Sequence, residues 1–449
     1  MFKKILLVFL LITTFSQAQH TIKGELHPAE NYPWMILYQL QGAKQNYIAH
    51  DSIKNGKFSI AIPNGQPSGM YRLIYDIKNR LFVDIIYANE DVSLTFNPIN
   101  PNQSVQFSVS ENNKLYQNYL KETQPIQKKL DSLQVAFFNS IDKVTSEMIG
   151  KVYHKNYIAL TTIQQQFETK STGKLIHNFI KASARYNAEN PVKNPTEYLT
   201  ATKNHFFDTL DFNNETLLNS TFINDKINDF IFYLNTSDDQ KTRTQLYKEA
   251  IATVIGKINT NQSLTKDIEE GLLYNFTQQE DISMVNYIIN FYLQLPKELQ
   301  DNAFIADMKG QLKTTVGTIA PNILWTENNE PQSLHKLNNA SHYIVVFWSS
   351  TCGHCLKELP LLESYLQDKK DIKVIAIGLE TEESKAGWQT EIAVYNNWIH
   401  VYGKNKWKNQ FAREYGVNAT PSFFILDAKK KILVKPDDIA ELKVFFEMN

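Results

Sequence analysis

The two cysteines of this 449-residue chain, Cys352 and Cys355, stand three positions apart in Thr351-Cys352-Gly353-His354-Cys355. A disulfide that closes so short a loop restrains little chain entropy, so the pair is poorly suited to stapling a fold. The same spacing lets two sulfurs pass reversibly between dithiol and disulfide. Zinc binding is the competing chemistry, but a structural site normally needs four ligands. There is no second cysteine pair, and His335, His342 and His400 hold no metal-like spacing to His354. The residue types therefore favour redox exchange, with no metal and no cofactor beyond a Cys352–Cys355 disulfide.

Strands and helices must hold the pair in place. Tyr343 to Trp348 reads as a buried strand just before the motif, and an amphipathic segment follows to Leu366. Cys352 thus falls at a strand-to-helix junction. A helix N-terminus offers unpaired N–H groups and partial positive charge, and both favour the thiolate, which is the attacking species. Cys355, one turn further in, is expected to be more buried and to resolve the mixed disulfide. Downstream, Ile372–Ile377 reads as a strand, Glu382–Asn397 as a helix and Trp398–Val401 as a strand. Asn405–Tyr415 reads as a helix with Asn405 as its N-cap. Ser422–Leu426 and Ile432–Val434 form a hairpin, and Asp437–Glu447 a closing helix. Such alternation predicts a compact α/β unit over residues 316–449.

Two other textures precede it. Residues 19–107 carry short alternating runs, among them Ile22–Leu26, Phe58–Ile62, Met70–Tyr75 and Leu81–Ile86, separated by turn residues. They predict a β-sandwich-like domain. Residues 108–315 predict an α-helical region, with helical segments at Asn113–Phe138, Ser146–Phe167 and Lys174–Ala188 and a helix starting at Asp281 and running through Tyr292. The chain is therefore expected to be multidomain.

Lys3 and Lys4 precede an apolar run, Ile5–Ile12, and Ser16-Gln17-Ala18 offers small residues to a signal peptidase. This predicts a cleaved export signal over residues 1–18 and a periplasmic protein. The run is short for a membrane span, and no later stretch is apolar enough, so an integral membrane protein is not expected. A net charge of −1 gives no whole-chain case for binding nucleic acid.

Phe347-Trp348-Ser349-Ser350-Thr351-Cys352-Gly353-His354-Cys355 resembles the active-site segment of thioredoxin-fold proteins, and its surroundings resemble the exported TlpA/ResA-like thiol-disulfide oxidoreductases. Gly317–Pro321, Ser333-Leu334, Pro360 and Val417–Asp427 are similar to further segments of that family. The likeness spans about Val316 to Asn449, and the N-terminal region more weakly resembles an uncharacterised β-domain found ahead of such modules.

The resemblance implies that Cys352 attacks and Cys355 resolves. It implies a cis Thr420–Pro421 bond, with Thr420, Pro421, Trp348 and Gly353 meeting the substrate. Glu358 matches an acidic residue near the family's active site, where it would relay protons to Cys355. Val346 occupies the position of the buried aspartate of many thioredoxins. His354 departs from the family's frequent proline and matches protein disulfide isomerase instead. A protonated histidine there stabilises the thiolate, which predicts a potential above thioredoxin's roughly −270 mV.

The expected partners are protein thiols and disulfides, together with an upstream redox partner. A peroxidase of the peroxiredoxin type is a weaker fit, because the proline that family places upstream of its cysteine is missing. A partner-binding scaffold or homodimer with an accessory redox unit is the alternative of a different class.

Overall fold

The computed structural model describes residues 20–28 and 31–448. The expected export signal over residues 1–18 lies outside them. By internal contact the chain divides into two units, Met1–Ile268 and Glu269–Asn449.

In the first unit, eight strands form two four-stranded sheets. These are β1 (Thr21–Leu26), β2 (Trp34–Gln41), β3 (Lys44–Ser52), β4 (Lys57–Ala61), β5 (Gly69–Asp76), β6 (Leu81–Tyr87), β7 (Val92–Phe96) and β8 (Gln106–Val109). One sheet runs β4-β1-β7-β8 and the other β3-β2-β5-β6. Side chains alternate across each strand, so β5 buries every second residue. Ile22, Leu26, Phe58, Ile60 and Leu94 from one sheet meet Met35, Leu37, Tyr71, Leu73 and Val83 from the other in one core. This is the expected sandwich. The free edge of β6 is closed by a side chain: the Asn113 amide accepts from Ile86 N–H (2.8 Å) and donates to Ile86 O (2.6 Å).

Long helices follow at Glu111–Asn139 and Lys143–Ser171, each started by a side-chain cap, Ser110 on Asn113 N–H and Asp142 on Thr145 N–H. The third expected helix is shorter than the sequence suggests, spanning Ile176–Ser183. Side-chain amides tether the segment beyond it. Gln127 and Asn187 exchange two hydrogen bonds, and Gln134 both donates to Val192 O and accepts from Val192 N–H.

The second unit holds helices Ile282–Tyr292 and Asn302–Gln311 and then the α/β region. Asp281 caps the first of these, as its position predicts. A small hairpin, β9 (Leu324–Glu327) and β10 (Glu330–Ser333), precedes β11 (His342–Trp348), β12 (Ile372–Glu380), β13 (Ile399–Lys404), β14 (Ser422–Asp427) and β15 (Ile432–Val434). The last five form one sheet in the order β13-β12-β11-β14-β15. β11, β12 and β13 are parallel, while β14 and β15 are antiparallel to their neighbours. Central β11 is buried on both faces, with Tyr343, Val345 and Phe347 in one core and Ile344, Val346 and Trp348 in the other.

One expected helix start is corrected here. Asn405 is not an N-cap; it has φ 72°, in the left-handed region. A single 3₁₀ turn, Lys406–Lys408, follows, and Asn409 caps helix Gln410–Glu414 by accepting from Phe411 and Ala412 N–H.

Candidate active site

β11 ends at Trp348, and the chain turns through Ser349–His354 into helix Cys355–Leu366. Cys352 and Cys355 form a disulfide, with Cα atoms 5.3 Å apart. Cys352 is half-buried and Cys355 is fully buried. The Cys355 N–H donates to Cys352 Sγ at 3.2 Å, so the helix start points a backbone dipole at the outer sulfur. On its other side, Cys352 Sγ lies 3.4 Å from the Thr420 carbonyl oxygen. The Thr420–Pro421 peptide is cis, and both residues are half-buried. Gly353 is exposed, and a side chain added there would meet nothing within 4 Å, so the motif opens onto free surface.

His354 is exposed, and its Nε2 stands 3.6 Å from Glu358 Oε1. The other Glu358 oxygen accepts from Ile439 N–H at 3.0 Å. That bond satisfies an open donor at the start of helix Ile439–Met448 and anchors Glu358 beside the motif.

Trp348 is placed differently from expectation. It is 0% exposed, packed among Ile344, Leu359 and Phe423, so its ring supports the motif from below and offers no open surface to a substrate. The aromatic run Phe347-Trp348 alternates across a strand covered on both faces, so neither ring reaches the surface.

A carboxyl group that the sequence did not single out lies beneath the motif. Glu380, the last residue of β12, is 0% exposed. Its Oε1 accepts from Ser350 N–H at 2.5 Å. Its Oε2 accepts from Ser384 Oγ at 2.5 Å and Ser349 Oγ at 3.3 Å. It therefore ties the loop that leads into Cys352 to the loop that follows β12. Its neighbours in sequence behave otherwise: Glu382 pairs with Lys404 at 2.8 Å on the surface. The only signal in the sequence was an acidic residue closing the apolar run Val374–Leu379.

A separate cleft of about 470 Å³ in the first unit is lined by residues including Tyr119, Gln127, Gln164, Arg185 and Lys226, and includes neither cysteine.

A family model described as thioredoxin-like matches residues 340–432. That stretch holds β11 to β14, both cysteines and Pro421. The C-terminal region is a thioredoxin-like domain. The chain as a whole joins it to the sheet-rich and helical regions described above. Among solved structures, a thioredoxin-like protein from Bacteroides caccae is 18% identical, over 57% of this chain and 94% of its own, with a TM-score of 0.36. A domain of a possible thiol-disulfide isomerase from Cytophaga hutchinsonii is 28% identical, over 30% of this chain and 91% of its own, with a TM-score of 0.26. A thiol-disulfide oxidoreductase from Bacteroides fragilis is 21% identical, over 29% of this chain and 100% of its own, with a TM-score of 0.26. No curated protein matches the chain.

Among the described residues no helix is long and apolar enough to cross a membrane.

Proposed function

We propose that this chain is an exported thiol-disulfide oxidoreductase of the TlpA/ResA-like kind, acting on protein thiols and disulfides. The observation that carries the reading is the unequal burial of the two sulfurs, Cys352 half open and Cys355 sealed, at a helix start beside Thr420.

In one direction, a client thiolate attacks Cys352 Sγ of the disulfide. The Cys352–Cys355 bond breaks and Cys355 leaves with the electron pair, taking up a proton. A second client thiolate then attacks the client sulfur of the mixed disulfide and expels Cys352 as a thiolate. The client loses two electrons and the protein gains them. In the other direction, reduced Cys352 attacks a client disulfide and Cys355 resolves the mixed species.

Only Cys352 is open to an incoming protein sulfur, so it is the nucleophile. Helix N–H groups favour its thiolate. Thr420 offers backbone to an extended client chain, next to Pro421 and the open surface at Gly353. Glu358, anchored by Ile439 and facing His354, moves protons for Cys355 in this reading, and His354 tunes the thiolate. An upstream redox protein restores the pair after each turnover.

A Cys355→Ser variant tests this in the full-length protein. Reduced and exposed to client disulfides, it should hold clients as mixed disulfides at Cys352, and Cys352→Ser should hold none. Equal trapping by both variants, or none by either, would refute the assignment.

A further inference from the structure

We propose that the Lys406–Trp407 turn selects clients, favouring segments that carry an acidic and an apolar side chain next to the reacting cysteine. The inference rests on the oxidoreductase reading and adds a substrate class to it.

The turn is a built feature. Asn405 has φ 72° and Lys406 φ 46°, two consecutive residues with side chains in a region that suits glycine. Backbone bonds hold them there: Lys408 N–H to Asn405 O and Asn409 N–H to Lys406 O, both at 2.9 Å. The Asn409 side chain adds a bond to Lys404 O at 3.2 Å. Disfavoured backbone held by surrounding bonds is a recurrent mark of functional segments.

The turn delivers a cation to the rim of the site and carries an exposed ring next to it in sequence. Lys406 Nζ donates to Thr351 Oγ1 at 3.3 Å, and Thr351 directly precedes Cys352. Trp407 is left 47% exposed, a large apolar ring facing water. Sheet order fixes which side this is. β13, which leads into the turn, lies on one side of β11, and β14, which follows Thr420–Pro421, lies on the other. Cys352 therefore sits between a backbone acceptor on one flank and, on the other, a cation whose neighbour in sequence is an exposed ring. A client held in extended pairing at Thr420 presents its remaining neighbours to Lys406 and Trp407.

This flank leaves two cations open, Lys406 and Lys408, while Glu383 is an exposed carboxylate of the loop after β12. Lys404 is neutralised by Glu382, and Glu380 is buried and occupied by its three donors. Among the described residues, Lys406 and Lys408 have no carboxylate within ion-pair distance. An aspartate or glutamate on the client complements them, and an apolar client side chain covers Trp407.

The test uses the reduced full-length protein and peptide disulfides that differ only beside the cysteine, Glu against Lys. Wild type should favour the Glu peptide by about three- to fivefold in kcat/KM, chiefly through KM, the size expected of exposed charges, and the preference should collapse in about 0.5 M salt. Lys406→Glu should reverse the preference. Trp407→Ala should lower kcat/KM about fivefold for peptides with an apolar neighbour and leave those with a glycine neighbour little changed. Because each readout is a ratio between peptides, partial loss of folded protein does not mimic it. Equal use of both peptides by wild type, or an unaltered preference in Lys406→Glu, overturns the inference. A small neutral disulfide such as 2-hydroxyethyl disulfide separates the two levels. If wild type reduces it but ignores peptide charge, only the selectivity proposal falls. If wild type reduces no disulfide at all, the oxidoreductase reading falls and this inference with it.

Discussion

Replacing Glu380 with alanine should destabilise the thioredoxin-like domain and slow exchange at Cys352. The magnitude follows from what the side chain holds. Three donors end on it: Ser350 N–H, Ser384 Oγ and Ser349 Oγ. The two hydroxyls have other acceptors near, Thr381 O at 3.3 Å for Ser384 and Thr351 Oγ1 at 3.0 Å for Ser349. Turning to them costs about 0.5 to 1 kcal/mol each. The Ser350 amide cannot turn, and a stranded buried donor costs about 1 to 3 kcal/mol. The vacated volume adds roughly another 1 kcal/mol. The sum is about 3 to 6 kcal/mol, a hundredfold or more in the unfolding constant. Glu380→Gln keeps one carbonyl oxygen for the Ser350 amide, so it should cost about 1 to 2 kcal/mol. Urea unfolding followed by tryptophan emission is the assay, because five of the six tryptophans lie in residues 269–449. Exchange rates should follow the same ranking, since Ser349–Thr351 leads directly into Cys352. A Glu380→Ala loss below about 0.5 kcal/mol, or glutamine as harmful as alanine, would refute the positioning argument.

Two further outcomes follow from other buried groups. Glu269 is 1% exposed, and burial, with the nearby Glu270 charge, pushes its carboxyl from the ordinary 4.5 up to about 8. Between those values the unfolded chain has lost a proton that the folded chain keeps, so stability falls as pH rises across that window. Glu269→Gln should therefore raise the melting temperature at pH 8, by the equivalent of about 2 to 4 kcal/mol, and bring no gain below about pH 4.5; a gain independent of pH would contradict this. At Gly378 on β12, an added Cβ would stand 2.1 Å from Trp388 Nε1, inside a packed core. Gly378→Ala should cost about 2 kcal/mol or more in the same unfolding assay, and a neutral result would show that the indole can shift freely.

The sequence carried much of this site because its signals were local. A cysteine pair between an apolar run and an amphipathic one locates a strand-to-helix junction without any long-range information. Ile432–Val434 and the helix start at Asp281 were legible for the same reason. Glu380 was not, since its importance comes from three serine contacts, two of them some 30 residues away in sequence. Its neighbours Glu382 and Glu383 are ordinary surface charges, and nothing in the run Glu380-Thr381-Glu382-Glu383 marks the one that turns inward. Asn405 misled in a related way. Asparagine favours both helix caps and left-handed backbone, and only the bonds around Lys406 and Asn409 choose between them. The Lys174–Ala188 pattern overran its helix, and the segment beyond is tethered by Gln127 and Gln134, both distant in sequence.

One consequence of the sealed Cys355 concerns traffic. Under the proposed reading, every exchange in either direction passes through a single sulfur atom, Cys352 Sγ. While one protein is covalently held there, the site is closed to all others. A client and the protein that restores the pair therefore wait for the same atom, and a surplus of either delays the other. Occupancy of that atom, rather than the potential difference between the two partners, then sets the ceiling on electron flow through this protein.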